Sequence, residues 1–152
     1  MEPIKILVPT VPVAQPRQRH RVVKAGKASF VQNYTPKVSP VNAYKAAVQM
    51  AARAAYSGAP LEGPLAVDYT FVFPRPKSMI WKTKRMGRQP HTKKPDRDNL
   101  EKATSDALTK LLWRDDAQIC DGRVAKCIAA GDEQPHVEIT IQRLASWKPS
   151  SE

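Results

Sequence analysis

The segment from Leu65 to Phe73 carries the clearest strand pattern in the chain. Most of its residues are β-branched or aromatic, and Pro74 follows directly. Such side chains favour an extended, partly buried backbone, and proline cannot donate the hydrogen bond that a sheet interior requires. The segment therefore predicts a strand that ends at Phe73 and belongs to a sheet.

Shorter segments predict the remaining strands. Ile4–Val8 runs into a proline, and residues 137–144 alternate apolar Val137, Ile139 and Ile141 with polar neighbours. That alternation places the three apolar side chains on one face of a sheet. The predicted strands are residues 4–8, 21–24, 28–31, 65–73, 123–129 and 137–144, with a hairpin turn at residues 25–27.

Two segments have the spacing of helices that pack against a sheet. Residues 40–56 are alanine-rich and end at Ser57-Gly58, and residues 98–112 carry a stripe of leucine and alanine. The order of elements predicts an α+β fold in which two main helices pack on a single mixed sheet. We expect residues 1–145 to form one domain and residues 146–152 to form a flexible C-terminal tail.

The chain has a large excess of basic residues, with 25 Lys and Arg against 14 Asp and Glu and a formal net charge of +11. A field of this sign attracts polyanions at long range and weakens as salt increases. Nucleic acid is the first partner that this charge predicts, and an anionic membrane surface is the second. The residues expected to contact DNA phosphates are Arg17, Arg19, Arg21, Lys24, Lys27, Lys82, Lys84, Arg85, Lys93 and Lys94.

Residues 75–95, here called the basic segment, contain no acidic residue. A loop of this length in a compact domain is usually functional or mobile. Trp81 within it either stacks on an exposed DNA base or packs within the protein. Packing within the protein is also an alternative for Trp113.

Membrane and secretory classes are disfavoured. No apolar run is long enough to span a bilayer, and the first residues lack the basic start and apolar centre of a secretory signal. Cys120 and Cys127 lack the partners of a zinc site, so we expect two buried thiols in a reducing compartment. A cytoplasmic protein without a small-molecule cofactor is expected.

Acidic residues concentrate on both sides of the second predicted helix. Asp96 and Asp98 are two residues apart, so in an extended backbone their carboxylates point to the same side. Asp116 follows the helix, where a chain returning to the sheet can bring it beside that pair. Three carboxylates without His or Cys favour a hard cation, Mg²⁺ with Mn²⁺ as its substitute. Lys102, one helical turn after Asp98, can reach a scissile phosphate or its leaving oxygen.

Each of these residues also has a purely structural interpretation. Asp98-Asn-Leu-Glu101 has the form of a capping box with Asp98 as the helix N-cap, and Asp96 would then favour the positive helix end. Asp98 and Lys102 have the spacing of a stabilising ion pair, and Asp115-Asp116 can be a solvated turn. Taken together, however, two acidic pairs around one helix beside a basic segment favour catalysis.

Three short runs around this helix form a specific combination. Residues 96–102 are Asp-Arg-Asp-Asn-Leu-Glu-Lys, residues 106–108 are Asp-Ala-Leu and residues 115–118 are Asp-Asp-Ala-Gln, with Asp121 close behind. In this order the runs resemble the signature of the RusA family of Holliday junction resolvases. The similarity is close over residues 94–121 and weaker at the Pro- and Arg-rich start and in the final strands.

The resemblance implies a homodimeric, Mg²⁺-dependent crossover junction endodeoxyribonuclease. Such an enzyme binds four-way DNA junctions and resolves them by paired symmetric nicks during recombination and repair. The resemblance identifies Asp96, Asp98 and Asp116 as metal-binding carboxylates and Lys102 as the catalytic lysine. It leaves Asp115 either to share the metal or to orient Asp116. RusA-like proteins often occur in phage and prophage, which makes a role in resolving branched phage DNA an expectation as well.

The expected reaction is hydrolysis in which one or two divalent ions activate water for in-line attack. Lys102 would stabilise the departing 3′-oxygen, leaving a 5′-phosphate. Two alternatives stay open: a structure-selective nuclease for flaps or forks, and a non-catalytic branched-DNA-binding protein in which the carboxylates only cap the helix. The basic segment and the tail are absent from short family members, so the junction specificity is left open.

Overall fold

The fold is built around the predicted strand at Leu65–Phe73. The computed structural model describes residues 2–16, 19–25, 28–34 and 39–145, the second and third of these ranges as backbone only. The elements are β1 (Ile4–Val8), β2 (Arg19–Ala25), β3 (Ala28–Tyr34), α1 (Pro40–Ala55), β4 (Leu65–Phe73), β5 (Gln89–Pro90), α2 (Arg97–Leu108), β6 (Ile119–Asp121), β7 (Val124–Ile128) and β8 (His136–Arg143).

Strand β4 is central in a mixed sheet of order β1-β8-β4-β7-β5, and β6 also pairs with β4. Strand β8 is antiparallel to both β1 and β4, whereas β6 and β7 run parallel to successive parts of β4. Strands β2 and β3 form a separate antiparallel hairpin. The predicted α+β fold, with one mixed sheet and two main helices, is therefore confirmed.

The core lies between the sheet and the two helices. Alternate residues of β8, namely Val137, Ile139 and Ile141, are at most 1% exposed, as the alternation predicted. They belong to one hydrophobic cluster with the apolar residues of α1 and α2. Helix α1 begins at Pro40 after Ser39, whose hydroxyl accepts a hydrogen bond from the Val41 amide at 3.4 Å.

Helix α2 differs from the prediction at both ends. It begins at Arg97 rather than at residue 98, and it ends at Leu108 rather than at residue 112. After Thr109 the chain turns through Lys110, which has φ 76°, and the Lys110 amide donates to the carbonyl oxygen of Trp113 at 2.5 Å. A turn stabilised by a fully buried tryptophan therefore replaces the last helical residues. The short strands β5 and β6 were also missed, because two or three residues cannot show a period.

Gly122 joins β6 to β7 where the chain passes close to β4. Its φ is +139°, and a Cβ atom there would collide with the backbone of Val67. The next residue, Arg123, accepts a hydrogen bond from the Tyr69 amide and donates one to Asp68 Oδ1, both at 2.8 Å. Glycine is therefore required where the chain passes from one parallel pairing of β4 to the next.

Other predictions of the sequence have mixed outcomes. Cys120 and Cys127 are free thiols, but Cys120 is exposed, so its predicted burial is wrong. Cys127 is partly buried, and this burial raises the pKa of its thiol. No helix within the described ranges is long and apolar enough to cross a bilayer. The predicted tail at residues 146–152 lies outside the described residues.

Candidate active site

Helix α2 places the first acidic pair differently from the prediction. Asp96 is the N-cap residue, and its side chain makes no capping hydrogen bond. Asp98 lies within the first helical turn, so the predicted Asp98–Glu101 capping box is wrong. The premise of an extended segment through Asp96 and Asp98 is also wrong, because the helix already begins between them. Neither carboxylate is therefore used to cap the start of α2.

A cleft lies between one face of α2 and the chain that follows the helix. Its volume is about 300 Å³, and its walls are formed by Asp98, Glu101, Lys102, Ser105, Asp116 and Ile119. The four residues from α2 follow the spacing i, i+3, i+4 and i+7, which places them on one side of a helix. Asp116 enters the cleft from a 3₁₀ turn at Asp116–Gln118.

Three of the predicted catalytic residues, Asp98, Lys102 and Asp116, meet in this cleft. Asp98 and Lys102 do not form the predicted ion pair, since the ion pairs among the described residues join other side chains. Asp96 is exposed at the helix N-cap and is not part of the cleft wall. The structure thus brings together three of the four predicted catalytic residues and leaves Asp96 outside the cleft wall.

Asp115 caps the 3₁₀ turn instead of lining the cleft. Its Oδ1 accepts a hydrogen bond from the Ala117 amide at 2.9 Å, and the Asp115 amide donates to Gln118 Oε1 at 3.0 Å. These two bonds form a capping box at the start of the turn that carries Asp116. Of the two roles predicted for Asp115, orienting Asp116 agrees with this position better than sharing a metal.

One oxygen of Asp116 is held by two side chains. The Thr109 hydroxyl lies 2.5 Å from Asp116 Oδ1, and the indole Nε1 of Trp113 donates to the same oxygen at 3.1 Å. Trp113 is 0% exposed, which confirms the core-packing alternative for this residue. The Asp116 carboxylate is therefore anchored to the core on one side and lines the cleft on the other.

Ser105 in the cleft wall contacts the hydroxyl of a buried tyrosine that is not itself part of the wall. Ser105 is 6% exposed, and its Oγ lies 2.6 Å from the hydroxyl of Tyr69 on β4. Burial raises the pKa of Tyr69, and the nearby carboxylates of Glu101 and Asp116 raise it further. The phenol is therefore neutral, and its hydrogen bond joins α2 to the sheet beneath the carboxylates.

Glu101 is a cleft residue that sequence reasoning assigned only to capping. It is partly buried and makes no hydrogen bond or ion pair with the described residues. The signal that identifies it is its spacing, because Glu101 lies three residues after Asp98 on the helix face that carries Lys102. Because Asp98, Glu101 and Lys102 share one helix face, the spacing predicts that the Glu101 carboxylate lies in the cleft with those of Asp98 and Asp116.

The donor chemistry of the cleft fits a hard divalent cation. Asp98, Glu101 and Asp116 supply carboxylate oxygens, the ligands that Mg²⁺ prefers, and no sulfur or imidazole side chain lines the cleft. Among the described residues no group of three or more His, Cys, Asp or Glu side chains is arranged to hold a metal ion. Asp98 is exposed, so its side chain can rotate towards the anchored Asp116 carboxylate to share an ion with it. The predicted centre of Asp96, Asp98 and Asp116 therefore stays a prediction.

The basic segment is anchored to the domain through Arg75. The Arg75 guanidinium donates to the carbonyl oxygens of Met79 at 2.7 Å, Gly87 at 2.9 Å and Ala129 at 3.1 Å. It also stacks on Trp81, with 4.6 Å between Cζ and the ring centroid. Trp81 thus packs against Arg75 within the protein, and its stacking on a DNA base stays a prediction.

The end of the basic segment is fixed just before the acidic pair. Lys126 on β7 donates from Nζ to the carbonyl oxygens of Lys93 at 2.7 Å and Pro95 at 2.6 Å. The side chains of Lys82, Lys84, Arg85, Lys93 and Lys94 are all exposed. Of the other predicted DNA contacts, Arg17 and Lys27 lie outside the described residues, as do the side chains of Arg19, Arg21 and Lys24 on β2.

Comparison with known proteins gives a consistent result. The family model described as Endodeoxyribonuclease RusA matches residues 9–142. The chain is 32% identical over 151 residues to Uncharacterized protein YqaN of Bacillus subtilis strain 168, covering 96% of this chain and all of that protein. It is 55% identical over 59 residues to the crossover junction endodeoxyribonucleases RusA of Enterobacteria phage 82 and of Escherichia coli K12. These two matches cover 38% of this chain and 47% of each nuclease, so they span about half the length of those relatives.

Proposed function

The chain belongs to the RusA family of endodeoxyribonucleases, and from this premise we propose that it is a Mg²⁺-dependent enzyme that resolves four-way DNA junctions. The observation that carries the proposal is the meeting of Asp98, Lys102 and Asp116 in one cleft. Asp98 and Lys102 come from α2 and Asp116 comes from the turn that follows it, and none of the three makes a capping hydrogen bond. The names of the phage and bacterial nucleases support the same substrate.

Asp98 and Asp116 would hold the metal ion from opposite walls of the cleft, and Asp96 would join them from the N-cap of α2. When bound, such an ion supplies a more acidic water and neutralises charge that develops on a phosphoryl oxygen. The two carboxylates would set the position of the bound ion relative to α2. Because Asp116 is anchored through Oδ1, its other oxygen is the one available to the ion.

Lys102 supplies the positive charge on the other side of the scissile bond. Its ammonium is exposed and forms no ion pair with the described residues, so it is available to a phosphate. A cation placed at a departing 3′-oxygen stabilises the negative charge that grows there. This role is active only in the transition state, so it accelerates cleavage more than it strengthens DNA binding.

Exposed lysines of the basic segment would bind the phosphate backbone of the junction arms. Such contacts position DNA without reading its sequence, and their strength falls as salt increases. Lys126 holds the end of this segment next to the start of α2, and Arg75 joins the segment to Ala129, directly after β7. Two copies of the chain in a symmetric dimer would present two such clefts to opposing strands of one junction.

The proposal is tested by cleavage of an end-labelled synthetic four-way junction with Mg²⁺ or with EDTA. Linear duplex, flap and fork substrates of the same sequence are compared at one moderate salt concentration. The variant Asp98→Asn removes one cleft carboxylate, and Asp132→Asn is the matched control because Asp132 is exposed in a turn that does not line the cleft. Paired symmetric nicks that require Mg²⁺ and are lost only in Asp98→Asn are expected.

Two other results would redirect the interpretation. Equal cleavage of flaps, forks and junctions would identify a broader structure-selective nuclease. Tight junction binding without cleavage in either Mg²⁺ or Mn²⁺ would contradict the catalytic proposal and leave a branched-DNA-binding protein. The second result is disfavoured by α2 itself, because the carboxylates are not used as its caps.

A further inference from the structure

We propose that Thr109 and Trp113 are positioning residues that fix the Asp116 carboxylate and thereby set the affinity of the cleft for a divalent cation. This inference rests on the proposed function, because Asp116 is one of the residues assigned there to the metal. Neither Thr109 nor Trp113 lines the cleft. Both act through the carboxylate that does.

The three side chains form a closed set of contacts. Trp113 Nε1 lies 3.1 Å from Asp116 Oδ1 and 3.1 Å from Thr109 Oγ1, and Thr109 Oγ1 lies 2.5 Å from Asp116 Oδ1. The indole N–H is thus shared between the hydroxyl and the carboxylate. Each of the three groups contacts the other two, so none can rotate without breaking a hydrogen bond.

The Thr109 hydroxyl has one proton and two acceptors within reach. One is the carbonyl oxygen of Ser105 at 2.8 Å, and the other is Asp116 Oδ1 at 2.5 Å. A hydrogen bond to a carboxylate is charge-assisted and stronger than one to a neutral carbonyl. The proton therefore belongs on the Asp116 side, where it holds Oδ1 in place.

The early end of α2 makes this arrangement possible. Thr109 is the C-cap residue, and Trp113 closes the turn back onto it through a bridge between the two backbones. A second bridge joins Trp113 to Leu61, and the Leu61 amide donates to the Leu112 carbonyl oxygen at 2.8 Å. The turn is therefore fixed to the body of the domain before the chain reaches Asp116.

Both hydrogen bonds fall on one carboxylate oxygen. Asp116 Oδ2 accepts no hydrogen bond from the described residues, while Oδ1 has two donors. Oδ1 fixes the plane of the carboxylate, and Oδ2 is left for a ligand in the cleft. Groups that orient a metal-binding carboxylate in this way typically contribute about 10- to 100-fold in metal affinity or activity.

The test compares Thr109→Val, which replaces the hydroxyl by a methyl group of similar size, with Thr109→Ser, which keeps it. Thr104→Val is the control, because it makes the same substitution at a buried threonine of α2 whose hydroxyl lies 2.7 Å from that of Tyr44 on α1 and contacts no cleft carboxylate. Mn²⁺ affinity is measured by calorimetry on the protein without DNA. The Mg²⁺ concentration for half-maximal junction cleavage is measured separately.

Thr109→Val is expected to weaken Mn²⁺ binding about tenfold or more and to raise the Mg²⁺ requirement in parallel. Thr109→Ser and Thr104→Val are expected to bind Mn²⁺ like the wild type. Trp113→Phe, which removes the indole N–H, should weaken Mn²⁺ binding in the same direction. Thr109→Ala removes the hydroxyl without adding a methyl group and is also expected to weaken Mn²⁺ binding. It is measured if Thr109→Val does not fold.

Unchanged Mn²⁺ affinity in a folded Thr109→Val or Thr109→Ala variant would overturn the inference. An equal loss in Thr104→Val would overturn it too, because the effect would then be one of general stability. If the wild type itself neither binds Mn²⁺ nor cleaves a junction, the proposed function fails. If the wild type binds Mn²⁺ and cleaves a junction, and Thr109→Val and Thr109→Ala bind Mn²⁺ with the same affinity, only the positioning role is refuted and the proposed function stands.

Discussion

Asp98 and Lys102 lie one helical turn apart on α2 and line the same cleft, yet they form no ion pair with each other. At this spacing an aspartate and a lysine commonly pair on an exposed helix. The two charges instead stand side by side facing one open space. This arrangement suits a ligand that carries both an anionic group and a bound cation, as a metal-bound phosphate does.

Replacing Lys102 by methionine tests this arrangement directly. The stem of the side chain is kept and the charge is lost, so the cleavage rate at saturating Mg²⁺ is expected to fall by about 10²-fold or more. Single-turnover cleavage of a four-way junction measures the rate. Thermal unfolding is expected to change little, because no ion pair is broken.

The control for Lys102→Met is Lys5→Met, which removes an exposed lysine from β1. If both variants weaken junction binding equally and cleave at the same rate once bound, Lys102 is an ordinary phosphate contact. A large loss of stability in Lys102→Met alone would instead point to a structural role.

Gly122→Ala is expected to destabilise the domain through its backbone. The new Cβ would meet the Val67 backbone, and an alanine at φ +139° is strained in any case. The expected loss in the free energy of unfolding is about 2 kcal/mol or more. Urea denaturation measures it. Gly87→Ala is the control, because a Cβ there has no atom within 4 Å, and it should change the free energy by less than about 0.5 kcal/mol.

The sheet and the helices could be predicted because their patterns are local. β4 has the predicted bounds, and α1 differs from its prediction by one residue at its end. α2 ends early for a reason that lies elsewhere in the chain. The backbone bridge from Leu61 to Trp113 and the burial of that tryptophan outweigh the helical pattern after Leu108.

The candidate site could be predicted only where it depends on local spacing. Helical spacing alone joins Asp98 to Lys102, whereas only the fold decides that Asp116 joins them and that Asp115 caps a turn. Thr109 carried no signal in the sequence, because its role depends on where the helix stops. Because α2 begins at Arg97 and not at residue 98, Asp96 is the N-cap residue and Asp98 is helical, so the two do not share one extended segment as predicted.

The hydrogen bonds between Arg88 and Glu133 predict a pH dependence of stability. These bonds lower the pKa of Glu133 from its ordinary value of 4.5 to about 2. The folded state therefore holds this carboxylate ionised at a pH where the unfolded chain protonates it. The pair contributes its full stability above about pH 4.5 and loses it as the pH falls towards 2.

Thermal unfolding of wild type and Glu133→Gln measures this contribution. Glu133→Gln should be less stable at pH 7, by about 1 kcal/mol or less because both side chains are partly exposed. The difference should shrink steadily below pH 4.5. A difference that stays constant down to about pH 2.5 would show that the ion pair is not its source. Asp132→Asn, which breaks no described hydrogen bond, is the control.

Glu101→Gln tests whether the carboxylate that the sequence did not reveal contributes to the cleft. Its charge adds to those of Asp98 and Asp116 in attracting a cation, but it makes no hydrogen bond that would fix it as a ligand. The Mg²⁺ concentration for half-maximal cleavage is expected to rise about threefold to tenfold, with the rate at saturating Mg²⁺ nearly kept. Glu62→Gln, which affects only an exposed ion pair with Arg114, should leave both values unchanged. A complete loss of cleavage at saturating Mg²⁺ would instead make Glu101 an essential ligand, and an unchanged Mg²⁺ requirement would exclude it from the site.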